Sequence, residues 1–155
     1  MMATELILPD EAATLAIGAC LAGMLEPGDV VTLSGSLGTG KTTLARGMLA
    51  ELGLADDAPS PSFAIVVTYA PPELRLPVAH ADLYRIERPV EIDELGLDDA
   101  LNDGALLVEW PERAGPAAWP QALALSLAPT PDGGRRLTWA AGPAWGERWP
   151  PFSLR

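Results

Sequence analysis

Apolar side chains at positions 13, 17, 20, 21 and 24 repeat at helical spacing, and the stretch opens with Pro9-Asp10-Glu11. That pattern predicts a helix from about residue 11 to 25, with Asp10 as its N-cap. Glu26-Pro27-Gly28-Asp29 ends it as a turn, and Val30–Ser34 follows as a short β-branched run, the mark of a buried strand. Residues 42–52 read as a second helix with Gly53 just past its end. A polar, proline-punctuated loop covers 55–62, and runs at 63–69, 78–83 and 105–110 read as strands. The acid- and leucine-rich stretch 90–102 predicts one or two short helices, and 111–120 a loop or broken helix. Alternation over 123–128 and 135–140, around Pro131-Asp132-Gly133-Gly134, predicts a hairpin, and Glu5–Leu8 a short first strand. Strands alternating with helices early and a hairpin late predict an α/β fold: a mixed, mainly parallel sheet flanked by helices. Residues 1–141 are expected to form one domain. Residues 142–155, with Pro143, Trp145, Trp149, Pro150 and Pro151, read as an irregular tail whose tryptophans pack on the domain surface.

Between the strand at 30–34 and the helix at 42–52 lies Gly35-Ser36-Leu37-Gly38-Thr39-Gly40-Lys41-Thr42, a complete Gly-x4-Gly-Lys-Thr pattern. A strand entering and a helix leaving are the context a phosphate-binding loop requires. The glycines let backbone N–H groups turn inward onto phosphates, and the helix N-terminus adds partial positive charge. Lys41 would reach the β- and γ-phosphates and the Thr42 hydroxyl would ligate Mg²⁺. The fold class is therefore P-loop NTPase-like, with ATP or ADP and Mg²⁺ as cofactors.

Composition sharpens that reading. Of ten basic residues nine are arginine, and Lys41 is the single lysine. A compact ammonium on a flexible stem fits between phosphates where a planar guanidinium does not. The net charge of −11 opposes autonomous tight binding to nucleic acid. Cys20, the one cysteine, excludes an internal disulfide and a cysteine-based zinc site, and is expected to be a buried small hydrophobe. No apolar run approaches the ~20 residues of a membrane span, so a cytoplasmic protein without membrane contact is expected.

A P-loop enzyme also needs a carboxylate on a neighbouring strand. Asp82 and Glu109 each end an apolar strand, and ligands in such sheets lie beyond the strands' carboxyl ends. One would hold the metal and the other orient the attacking water, unless either pairs with an arginine such as Arg85 or Arg113; patterning does not divide the roles. His80, the one histidine, shares a strand face with Asp82 and reads as structural or as support for a ligand. Trp110 reads as core or rim.

The loop, together with Ser60-Pro61-Ser62-Phe63, His80-Ala81-Asp82-Leu83-Tyr84-Arg85, Glu94-Leu95-Gly96-Leu97 and Val108-Glu109-Trp110-Pro111-Glu112-Arg113, resembles the TsaE-like (YjeE-like) ATPases of bacterial tRNA threonylcarbamoyladenosine biosynthesis. The likeness runs over about residues 6–137. It implies a Mg²⁺-dependent ATPase working with the TsaB and TsaD proteins, the latter the transferase that modifies the adenosine next to the anticodon. Hydrolysis would reset that complex between cycles, and tRNA would be met only through it. The resemblance implies catalytic roles for Lys41, Asp82 and Glu109, with Glu109 and Thr42 on the metal and Asp82 near the γ-phosphate. It implies nucleotide contacts from Leu37, Gly38, Thr39, Gly40, Lys41, Thr42 and Thr43, and from Glu11 and Arg135. Ser60 to Phe63 match a switch-like loop. Ser36, Thr39, Ser62 and Ala81 stand where the family usually has Asp, Ala, Thr and an aromatic.

Two other readings use the same loop. A small-molecule kinase would add an acceptor pocket and phosphate-closing arginines, for which Arg85, Arg88, Arg113, Arg135 and Arg136 are available. A non-catalytic nucleotide-binding adaptor would set partner affinity without turnover. A GTPase is disfavoured, because the usual guanine-reading motif needs a second lysine.

Overall fold

The computed structural model describes residues 4–36, 38–55, 65–115 and 117–151. Seven strands form one sheet: β1 (Glu5–Leu8), β2 (Val30–Ser34), β3 (Val66–Tyr69), β4 (Val78–Asp82), β5 (Ala105–Glu109), β6 (Leu123–Pro129) and β7 (Arg135–Ala141). Their order is β1-β7-β6-β2-β5-β4-β3. The central four, β6, β2, β5 and β4, run parallel. The edges are antiparallel, through β6–β7 and β1–β7 on one side and β3–β4 on the other. The α/β class and late hairpin thus match expectation, while the predicted strand at 63–69 is described only as Val66–Tyr69.

Helix α1 (Glu11–Ala22) begins where Asp10 Oδ1 accepts the Ala13 N–H at 2.9 Å, so the predicted N-cap is made. It ends about three residues earlier than the periodicity suggests, at Gly23. Helix α2 (Lys41–Leu52) starts directly from the glycine loop. The two helices meet backbone to backbone. A Cβ on Gly18 would collide with the Leu44 carbonyl and the Met48 nitrogen, and one on Gly47 would lie 2.5 Å from the Leu15 carbonyl oxygen. Short α3 (Val90–Asp93) and the 3₁₀ turns Leu97–Asn102 and Pro111–Ala114 complete the predicted helical segments.

Period-two alternation along β5 divides the core between the sheet's faces. Leu107 joins Leu21, Leu44, Met48 and Leu125 in a cluster with both long helices. Leu106 and Val108 join Val30, Ala81, Leu83 and Leu97 in the second cluster. The tail departs from expectation: Trp145 and Trp149 are buried within the first cluster rather than resting on the surface. A bidentate pair holds it there, with Arg148 Nη1 and Nη2 each 2.8 Å from an oxygen of buried Asp29. Cys20 is half-buried, not buried as expected. Among the described residues no helix is long and apolar enough to cross a membrane.

Candidate nucleotide-binding site

The carboxyl end of β2, at the centre of the sheet between β5 and β6, delivers the chain into the glycine loop. Gly35 makes the first turn at φ +142°, and a Cβ there would lie 2.5 Å from the Leu127 carbonyl oxygen and 2.7 Å from Thr39 Oγ1. Both the backbone angle and the space therefore demand glycine. The buried Thr39 hydroxyl donates to the Ser36 carbonyl at 2.8 Å and ties the loop across itself. Gly40, at φ 99°, is the N-cap of α2 and offers no side-chain cap. The first-turn N–H groups are left to an external anion, where the helix dipole also favours negative charge.

Arg135, on β7, grips the loop from its other side. Its Nε donates to the Thr39 carbonyl at 3.0 Å, Nη2 to the Gly38 carbonyl at 2.9 Å and Nη1 to the Gly134 carbonyl at 2.9 Å.

Lys41 is buried at the head of α2, 5% exposed. Its Nζ donates to the carbonyls of Gly35 and, at 3.2 Å, Ser36, and lies 4.3 Å from the centre of the Trp110 ring. Burial pulls its pKa below the ordinary lysine value, and the negative charges of Glu109, Asp82 and Glu112 partly oppose that. Trp110 takes a left-handed conformation, φ 59°, immediately after β5, and Tyr84 packs against it with ring centres 5.0 Å apart. Trp110 is therefore a wall of the site and not only core or rim. Its position one residue beyond Glu109 is the one sequence signal for this.

The two predicted acids are direct register partners on neighbouring parallel strands, Asp82 of β4 opposite Glu109 of β5. Both are buried. Asp82 Oδ1 accepts the Tyr84 N–H at 2.9 Å. Glu109 Oε1 accepts the Thr42 hydroxyl at 3.2 Å, and its Oε2 is 2.7 Å from His80 Nε2. His80 thus touches the site, which the choice between structure and ligand support had left open. Arg113 stacks over Tyr84, 5.8 Å from its ring centre.

One cleft of about 460 Å³ takes in Glu11, Gly38, Thr39, Gly40, Lys41, Thr42, Thr43, Asp82, Glu109 and Arg135, with Trp110 on its wall. That volume is in the range of small-molecule and cofactor pockets. Leu37 and the segment Ser60 to Phe63 lie outside the described residues. A hydroxyl against a carboxylate, with a second carboxylate in the same cleft, is an all-oxygen donor set that fits a hard cation such as Mg²⁺. Among the described residues no cluster of three or more His, Cys, Asp or Glu side chains could cage a metal. A cation here would need phosphate oxygens and water to complete its shell.

A parallel-centred sheet with a Gly-x4-Gly-Lys-Thr loop at the end of its middle strand defines the class: a P-loop NTPase-like α/β protein. Within it, the family model described as threonylcarbamoyl adenosine biosynthesis protein TsaE matches residues 8–137, and the chain belongs to that family. The TsaE protein of Rickettsia felis is 40% identical over 108 residues, 69% of this chain and 62% of that protein. The TsaE protein of Bacillus subtilis is 43% identical over 103 residues, 66% of this chain and 61% of its own. The aligned stretch thus spans about three-fifths of these two relatives. The crystal structure of Bacillus subtilis YdiB superimposes with a TM-score of 0.76 at 30% identity, over 91% of this chain and 87% of that one.

Proposed function

We propose that this protein is a Mg²⁺-dependent ATPase required for threonylcarbamoyladenosine modification of tRNA. It would act with the TsaD and TsaB proteins and reset their complex between cycles. The convergence of Lys41, Thr42, Asp82 and Glu109 on one cleft at the carboxyl ends of β2, β4 and β5 carries this reading, together with family membership.

In this reading the loop amides and the uncapped start of α2 bind the β- and γ-phosphates. Lys41, beside the Trp110 ring, exchanges the carbonyls of Gly35 and Ser36 for phosphate oxygens. Thr42 and Glu109 would hold Mg²⁺, which would supply positive charge against the phosphates. Asp82, fixed by the Tyr84 amide, orients the attacking water. Glu11, also on the cleft lining, has a carboxylate that suits ribose hydroxyls or the adenine amino group, and Arg135 holds the loop. The acidic chain leaves tRNA contact to its partners, and a cytoplasmic location follows from that role.

Phosphate release from ATP, measured with the pure protein and then with TsaD and TsaB added, tests this. Slow Mg²⁺-dependent release that the pair accelerates supports it. Indifference to the pair, with stimulation by a small metabolite, would favour a small-molecule kinase.

A further inference from the structure

Glu109 is held at both ends of its carboxylate. Thr42 donates to Oε1 on the cleft side, and His80 lies on Oε2 from behind. His80 is two residues before Asp82 on β4, so both project from the face that carries Glu109 on β5; His80 is the diagonal neighbour of Glu109 in the β4–β5 register. The His80 side chain is 1% exposed and the Glu109 side chain 3%. A carboxylate this buried is costly unless its oxygens find donors. The Thr42 hydroxyl supplies one, and it is the same hydroxyl that phosphate-loop proteins turn toward a metal. His80 Nδ1 is buried with no hydrogen-bond partner among the described residues. A proton there would be an orphaned donor, so the ring's proton belongs on Nε2, aimed at Oε2.

We propose that His80 is a positioning residue for Glu109: its Nε2–H fixes the carboxylate so that Oε1 faces Thr42 and the cleft, in the orientation a Mg²⁺·nucleotide complex requires. This rests on the reading of Glu109 as the metal-holding acid. Groups that orient a metal ligand from behind generally matter 10–100-fold to metal affinity. The effect belongs to the metal step and not to nucleotide binding as such, because His80 lines no part of the nucleotide cleft.

Calorimetric titration of ADP at a series of Mg²⁺ concentrations separates the two. In His80→Ala the Mg²⁺ concentration that gives half the full gain in ADP affinity should rise about tenfold or more, while ADP affinity in EDTA stays at the wild-type value. His80→Gln places an amide N–H near the lost Nε2–H and should recover most of the Mg²⁺ response; His80→Asn, one methylene shorter, should not. The chain has one histidine, so long-range ¹H–¹⁵N spectra of the wild type report on His80 alone. They should show the Nε2-protonated tautomer, with shifts that move when Mg²⁺·ADP is added to ADP-free protein. A wild-type Mg²⁺ response in His80→Ala, equal loss of Mg²⁺-free ADP binding, or an Nδ1-protonated ring would each overturn the proposal. Glu109→Ala is the control for the underlying reading. If it too leaves the Mg²⁺ response unchanged, the metal role of Glu109 fails; if it alone weakens the response, only the positioning role of His80 fails.

Discussion

Arg135 binds Gly38 and Thr39 by their carbonyl oxygens, so a strand near the far edge of the sheet sets the shape of the phosphate loop at its centre. Two hydrogen bonds from one planar cation to successive loop residues suit a guanidinium and not an ammonium. Arg135→Ala should weaken ADP binding by roughly tenfold, the worth of one or two charge-assisted hydrogen bonds. Arg135→Lys should recover little. Calorimetry checks both, and circular dichroism should show the fold retained.

The contact between Gly18 and Gly47 makes a stability prediction away from the site. Each glycine admits the other helix's backbone, so a methyl group at either position must push α1 from α2. Gly18→Ala and Gly47→Ala should each destabilise by about 1–3 kcal/mol despite the better helix propensity of alanine. Urea unfolding midpoints report this directly. A stabilised variant would mean that the helices do not meet as described.

Lys41 predicts a pH dependence. Its pKa in the nucleotide-free protein is lowered from 10.5, with burial the leading cause. Phosphate favours the ammonium, so binding takes up a proton once the free lysine begins to lose its own. Nucleotide affinity should therefore fall as pH rises through a window that opens below 10.5. For folding the sign is opposite: the unfolded chain holds the proton more tightly, so this group's contribution to stability rises with pH through that same window. Affinity by calorimetry from pH 7 to 10 tests the first statement and thermal unfolding the second.

Asp82 and Glu109 are paired in register yet differ in partners, and their variants should separate. Glu109→Ala frees Thr42 and His80 and should blunt the Mg²⁺ dependence of binding. Asp82→Ala should leave Mg²⁺·ATP binding within a few-fold while reducing turnover by a factor on the order of 10² to 10⁴, the usual range for a positioned acid–base group. Mg²⁺ titrations and single-turnover phosphate release distinguish the two. A parallel loss of binding and turnover in Asp82→Ala would move that residue into the binding set.

What the sequence made legible was local. The glycine loop is a run of eight residues whose backbone demands are written in its residue types, and Asp82 and Glu109 stand where apolar strands stop. Asp10 capping α1 is a contact over three residues. What stayed hidden was carried by pairings distant in sequence. Gly18 and Gly47 look like weak points in two separate helices, and only their juxtaposition makes them contact points. His80 becomes part of the site because β4 lies beside β5, 29 residues away. The tryptophans of the tail look like surface aromatics until the Asp29–Arg148 pair draws the segment onto the core. Trp110 enters the site through a left-handed backbone that no periodicity signals.

The most direct test of the central claim is calorimetric titration of Mg²⁺·ATP into the wild type and into Lys41→Ala. Binding at one site per chain in the wild type, lost or weakened by more than about tenfold in the variant, is the predicted result. Equal affinity in the two proteins would contradict the assignment of this loop as the phosphate site, and with it the proposed ATPase.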